Sequence, residues 1–316
     1  MTELILSGKK IAFCIPLILL SLVLCSCGGK WYTSLSDAKV AAEKNGKNIF
    51  LFTAAETEFA SKFKDEVLAS RKFRSVAGKN YVLADMYLSS GNVGKKSAED
   101  LEKEGKEKSA MMLDYDVQGD ISLLILSREG YFLAEVPYNA ESLSVEGLLS
   151  AIDETENETR KIDALVSEVR KTEGTDKVRA IDALYEATDE KIRRPLLPLC
   201  REIPNLDPGN ISGLLGKYEL QLAFDDVYMS LTKDSVDEAA EKFVSLAENG
   251  HLDRAQKFHA YYYAAYLYPL VGSTDFDRML DLLEKSYASD PSNEHSGDIS
   301  LMIEQTQKMK KMYGGD

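Results

Sequence analysis

The residues of this 316-residue sequence that could do chemistry are four cysteines, three histidines and a few paired carboxylates. The cysteines are Cys14, Cys25, Cys27 and Cys200, and no two of them stand in Cys-x-x-Cys spacing. His251 and His259 are eight apart, so they could share a helix face, and His295 lies far from both in sequence. A zinc site takes three or four ligands, with a closely spaced pair among them. Neither His-x-x-x-His nor His-Glu-x-x-His occurs, so neither metal nor cofactor is expected. Asp225-Asp226 and Asp275-Phe276-Asp277 are acidic pairs. Two carboxylates alone do not make a glycosidase or metal site, and charges at helix starts explain them. There is no Gly-rich phosphate loop, nucleophile elbow or kinase signature. No catalytic residue is assigned.

Composition narrows the class. At 44% hydrophobic and 28% charged the chain is ordinary globular material, and its length suits roughly two domains. The net charge is −14. Nucleic acid is excluded as a partner, because a phosphate backbone needs a Lys/Arg surface. A broad electrostatic grip on anionic lipid is excluded too. Any hold on a membrane must come from the N-terminus.

Lys9 and Lys10 precede an apolar run, Ile11 to Leu24, which Pro16 interrupts. A membrane-spanning helix needs about 20 apolar residues, so the run suits a signal-peptide core. Leu24-Cys25-Ser26-Cys27 resembles the bacterial lipobox. The resemblance implies diacylglyceryl transfer to Cys27, cleavage after Ser26 and acylation of the new amino group. A plain signal peptide or signal anchor is the competing reading, and Cys25 fits the lipobox less well because bulky Leu24 precedes it. Residues 1–26 are thus a lipoprotein signal peptide and 27–30 a lipidated linker. The expected location is the cell envelope, lipid-anchored and extracytoplasmic, on the periplasmic face or the cell surface. Two or three acyl chains anchor firmly where one does so only marginally. This assignment leaves Cys200 as a lone thiol, in the apolar setting Pro195-Leu-Leu-Pro-Leu-Cys200, where a buried and inert cysteine is expected.

From Trp31 to Tyr138 helix and strand alternate. Leu35 to Asn45 is amphipathic, closed by Asn45-Gly46-Lys47. Asn48 to Phe52 reads as a strand buried on both faces. Glu56 to Ser70 reads as one helix with Phe59, Phe63, Val67 and Leu68 on a single stripe, and Thr53-Ala54-Ala55-Glu56 reads as its capping box. Tyr81 to Met86 is a second strand. Lys95 to Lys108 is a solvated helix or a mobile insertion. Ser122 to Leu126 and Tyr131 to Val136 are strands joined at Arg128-Glu129-Gly130.

The stretch from Trp31 to about Tyr138 resembles exported thioredoxin-like proteins. The residues that carry the resemblance are Trp31, Leu35, Asp37, Ala38, Ala42, Gly46 and Lys47, then IFLFTAAETEFASKFKDEVL, and later Tyr115-Asp116-Val117-Gln118-Gly119-Asp120-Ile121-Ser122 with Glu129-Gly130. In that family the active turn is Cys-x-x-Cys at a helix start, where the positive end of the helix lowers the thiol pKa. The matching positions here are Thr57 and Ala60, with Glu58 and Phe59 between, and the family's cis-proline position matches Ile121. The resemblance therefore implies the frame without its redox couple. A cis bond before a non-proline residue costs about 3–4 kcal/mol, so Ile121 is expected to be trans.

After Ala140 the strand signal stops. Helical periodicity covers Leu143 to Lys171, Asp176 to Thr188 and Lys191 to Ile203, then residues near 211–232, 235–249, 252–270, 275–289 and 297–312. Ala260 to Asn293 loosely resembles tetratricopeptide hairpins, and a plain helical bundle fits as well. The expected architecture is a thioredoxin-like α/β domain over 31–139 followed by an all-α helical-hairpin domain over 140–316. Tyr261, Tyr262 and Tyr266 could line a peptide groove or form core plus rim. The functional expectation is a non-enzymatic, membrane-anchored scaffold that binds an envelope protein or peptide. Two other classes stay open: a relative of thiol-disulfide oxidoreductases or isomerases, and a lipoprotein binding a small ligand at the vacated turn through Glu56 and Glu58.

Overall fold

The structure is a computed structural model that describes residues 29–87, 97–117 and 121–313. The signal peptide, Cys27 and the Gln118-Gly119-Asp120 landmark lie outside the described residues.

The N-terminal part is a mixed five-stranded sheet with helices on both faces. Its strands are β1 (Trp31–Tyr32), β2 (Asn48–Ala54), β3 (Tyr81–Asp85), β4 (Ile121–Leu126) and β5 (Phe132–Glu135), in the order β1-β3-β2-β4-β5. The pairs β1–β3 and β2–β3 are parallel; β4 runs antiparallel to β2 and to β5. Alternation along β2 divides its side chains between two layers. Ile49 and Leu51 meet α1 (Leu35–Asn45) and α4 (Ala98–Asp114), while Phe50 and Phe52 face the opposite core. The sequence is continuously apolar there because both faces are covered.

Helix α1 closes as its sequence implies: Gly46 takes φ 64°, and its N–H bonds the carbonyls of Ala42 and Glu43. The helix expected over 56–70 is broken up. Helix α2 (Glu58–Phe63) widens into a π turn at Lys64–Leu68, and α3 (Arg71–Asn80) follows after the Ser70 cap. Thr53 is not the cap; it lies buried in β2, whose pairing with β4 continues to Ala54. Phe63, Val67 and Leu68 are buried, but Phe59 is 51% exposed, on the outer side of the first turn. Helix α3 places Phe73 between Trp31, stacked at 6.2 Å, and Phe50, edge-on at 5.4 Å. The charged stretch before the third long strand is a helix. In α4, Lys108 is 6% exposed, pairs with Glu104 at 2.8 Å and donates to the Tyr87 carbonyl at 2.9 Å.

The rest of the chain is largely helical. The helix expected over 143–171 divides at Thr155 into α5 (Val145–Glu154) and α6 (Glu156–Lys171), and α7 (Gly174–Ala187) follows. The helix expected over 191–203 is absent. Pro195, Pro198 and Pro204 each sit in the first turn of a new short segment, including α8 (Leu197–Cys200) and α9 (Ile203–Leu206). Proline lacks the N–H that a helix interior needs. The five helices beyond lie within a few residues of expectation: α10 (Leu215–Ser230), α11 (Val236–Asn249), α12 (Arg254–Leu270), α13 (Phe276–Ser289) and α14 (Ser296–Tyr313). Each packs on the next.

The apolar core runs across the boundary expected at 139/140. One cluster joins Phe50 and Phe73 of the sheet layer to Leu148, Val166, Ile181 and Tyr218. A second cluster fills α11–α14. The two meet at α10, which gives Leu215, Tyr218 and Leu222 to the first and Leu220 and Val227 to the second. An ion pair also ties the sheet to the helices: Arg170 of α6 grips Glu129 of the β4–β5 turn through Nε at 2.6 Å and Nη2 at 2.9 Å.

Candidate functional site

Two places bring the singled-out residues together. The first is the turn after β2. Thr57 caps α2, its Oγ1 accepting the Ala60 N–H at 3.1 Å. Ala60 is buried, Glu58 and Phe59 are exposed, and Ile121 opens β4 directly opposite Ala54. The residue before Ile121 lies outside the described residues. Thr57 caps the helix that follows β2, Ala60 lies inside that helix and Ile121 opens the neighbouring strand; the groups available there are a capping hydroxyl and surface carboxylates. A hydroxyl engaged as a cap has no thiolate-like ionisation to offer. Phe59 and Phe63 both pack edge-on against Tyr138, at 6.2 and 5.3 Å. Cys200, the one cysteine among the described residues, is fully buried, and burial pushes its thiol up to about 12.

The second place is a groove on the helical part. Along α12, Tyr262 and Tyr266 are one turn apart with ring centroids 5.9 Å apart, and Tyr266 is 45% exposed. With Met279 of α13 and Met302 and Met309 of α14 they line a cavity of about 460 Å³. Past Tyr262 and Gln305 a second hollow of about 420 Å³ continues toward His259 and His295. Tyr261 does not line either hollow; its charged neighbours are Glu248, Asp281 and Lys285, on the α11 and α13 side. Tyr268 is core: it is 1% exposed and donates to Asp237 at 2.8 Å. The aromatic run thus serves both readings, with Tyr262 and Tyr266 on the groove and Tyr268 inside.

The histidines pair differently from their spacing. His251 precedes α12 and meets Glu219 at 3.3 Å. His259 instead faces His295, with ring centroids 6.2 Å apart, and burial followed by the His295 charge lowers its pKa. His295 lies within 3.5 Å of Asp298. Among the described residues no three His, Cys, Asp or Glu side chains are arranged to hold a metal ion. The acidic pairs have structural duties. Arg201 reaches Asp226 at 2.6 Å and Asp225 at 3.5 Å, and Asp275 caps α13 by accepting from the Arg278 N–H.

Met302 and Met309 escape the sequence reading. Their signal is the apolar spacing of Leu301, Met302, Met309 and Met312 in α14, visible only once α14 is known to lie beside α12. The groove is apolar with soft thioethers and two phenols at its edge, a composition suited to receiving an apolar side-chain row. No helix among the described residues is long and apolar enough to cross a membrane.

Comparison with known proteins gives three findings. A solved structure, a DsbH oxidoreductase, is similar at a TM-score of 0.35 and 19% identity, over 48% of this chain and 95% of that one, too loose a likeness to fix the fold. A protein of Treponema pallidum (strain Nichols), titled only "Uncharacterized protein", is 26% identical over 198 residues, 62% of this chain and 65% of the relative's own length. Residues 214–312, the α10–α14 unit that carries the groove, match the family described as "TP_0391_C: Uncharacterised protein C-terminal domain".

Proposed function

We propose that this chain is a lipid-anchored extracytoplasmic scaffold. Its thioredoxin-like N-terminal domain is redox-inactive, and its helical part binds protein through the α12–α14 groove. The observation that carries the reading is the groove itself: Tyr262 and Tyr266 face Met302 and Met309 across an apolar hollow on a helical array. Exposed contiguous apolar surface of this kind marks interaction sites. The thioredoxin-like frame is supported by the register of β2 and β4, which sets the Ile121 position against the strand that leads into the Thr57 turn. The absence of activity is supported by chemistry, since the turn offers Thr57 and Ala60 where a dithiol enzyme needs two sulfurs.

Three measurements test this. Labelled palmitate should enter the protein in cells and be lost on Cys27→Ser; label in that variant would sink the anchor. Insulin reduction should not exceed the blank, and turnover would restore the oxidoreductase reading. A photo-crosslinking side chain at position 266 should form discrete protein adducts in cells. No adduct from position 266, at normal expression, would refute the groove.

A further inference from the structure

A separate hollow of about 360 Å³ lies where the sheet meets the helices. Ser122 and Leu124 of β4 and Phe132 of β5 line its inner side. They stand on the face of β4 opposite Ile121, because side chains alternate along a strand. Four carboxylates reach the same space from four parts of the chain: Asp116 just past α4, Glu135 on β5, Glu158 on α6 and Asp189 after α7. One ammonium group, that of Lys191, lines it with them.

Carboxylates gathered at a surface do not by themselves make a site. Ser122 adds an independent observation. It is 9% exposed, it lines the hollow, and its hydroxyl has no hydrogen-bond partner among the described residues. Buried polar groups are ordinarily paired, and leaving one unpaired is costly. The partner of this hydroxyl must come from the hollow.

Charge and size say what fits. Four negative groups against one positive call for an occupant with more than one positive charge. Glu135 and Glu158 have no ion-pair partner among the described residues. A bare divalent ion is a poor match. Magnesium and calcium take six or more closely placed oxygens, and no three acidic or imidazole side chains among the described residues are so arranged. The volume is near the low end for a ligand pocket, so the occupant is small. Leu124, Phe132 and Ile192 offer apolar surface between the charges, which suits methylene groups better than a hydrated ion.

We propose that this hollow binds a short aliphatic polyamine. Its ammonium groups lie among Glu135, Glu158 and Asp189, its methylenes lie on Leu124 and Phe132, and one N–H donates to Ser122 Oγ. The occupant touches β4 and β5 on one side and α6 with the 189–192 turn on the other, so it ties the sheet to the helices. The site is apart from the α12–α14 groove, and the two readings stand or fall separately.

The test is calorimetric titration of the full chain with spermidine at physiological ionic strength, where diffuse attraction to an acidic protein is screened. One saturable site per chain is expected, with a rise in melting temperature on binding. The double variant Glu135→Gln, Glu158→Gln should bind roughly tenfold more weakly or worse, and Ser122→Ala several-fold more weakly. The double variant Glu238→Gln, Glu284→Gln removes the same charge from α11 and α13, which do not line the hollow, and should bind as the wild type does. No saturable binding would mean that water alone satisfies Ser122, and would overturn the inference. Equal weakening in the two double variants would overturn it too, by reducing the effect to net charge. Displacement of spermidine by an equal concentration of magnesium would replace the amine site with a metal site and overturn the assignment.

Discussion

Replacing Glu129 by Gln should weaken the sheet at neutral pH and matter much less in acid. Glu129 sits in the β4–β5 turn, where Arg170 donates two hydrogen bonds to it and Ser127 Oγ a third at 2.8 Å. Burial works against ionisation, but the hydrogen bonds from Arg170 and then Ser127, with the nearby charge of Arg170, hold the carboxyl down at about 2, against an ordinary 4.5. A displacement of that size corresponds to about 3 kcal/mol of preference for the charged form. Both side chains keep more than a quarter of their surface in solvent, and screening reduces the contribution to about 1 kcal/mol. The sign follows from proton uptake. The unfolded chain binds the proton first as pH falls, so the stabilisation is complete above the unfolded value and drains away through the folded one. It should fall by more than half between pH 7 and pH 3. Trp31, the only tryptophan, packs on Phe50 and Phe73 in the same core, so its fluorescence during urea unfolding reads the relevant part. A difference between wild type and Glu129→Gln of about 1 kcal/mol at pH 7, shrinking at pH 3, is expected. An equal difference at both pH values, or none at pH 7, would refute the electrostatic account.

Two further outcomes follow from the turn and the lone thiol. Thr57→Ala removes the cap of α2 and should cost about 1 kcal/mol, read by the same Trp31 transition; unchanged stability would show that the cap contributes nothing. Cys200 should resist a thiol-labelling reagent in the native protein and react at once in denaturant, because burial raises its pKa to about 12. Rapid native labelling would contradict its place in the core.

Legibility in the sequence follows how local each cause is. The apolar run Ile49–Phe52, the Gly46 closure of α1 and the bounds of α10–α14 rest on periodicity and break residues within a few positions, and all are readable. Helix α3 is not, because it buries only Phe73 and Ala77 while Val76 stays 41% exposed, too thin a stripe to register. The proline-rich segment from 191 to 203 keeps apolar spacing, yet its missing N–H groups forbid one continuous helix. Phe59 falls on the apolar stripe by counting, but α2 is only six residues long before the π turn shifts the phase. At the groove, Tyr262 and Tyr266 are readable from their four-residue spacing. Met302, Met309 and the His259–His295 contact are not, because they depend on α14 docking beside α12, about 40 residues away.

The sharpest test of the central claim compares two positions in the same cells. A photo-crosslinking side chain goes either at Phe59, exposed at the turn after β2, or at Tyr266, exposed on the groove. Discrete protein adducts from position 266 and none from position 59 are the expected result. Adducts from position 59 alone would contradict the claim, returning binding to the sheet-bearing N-terminal part and leaving the helical groove without a role.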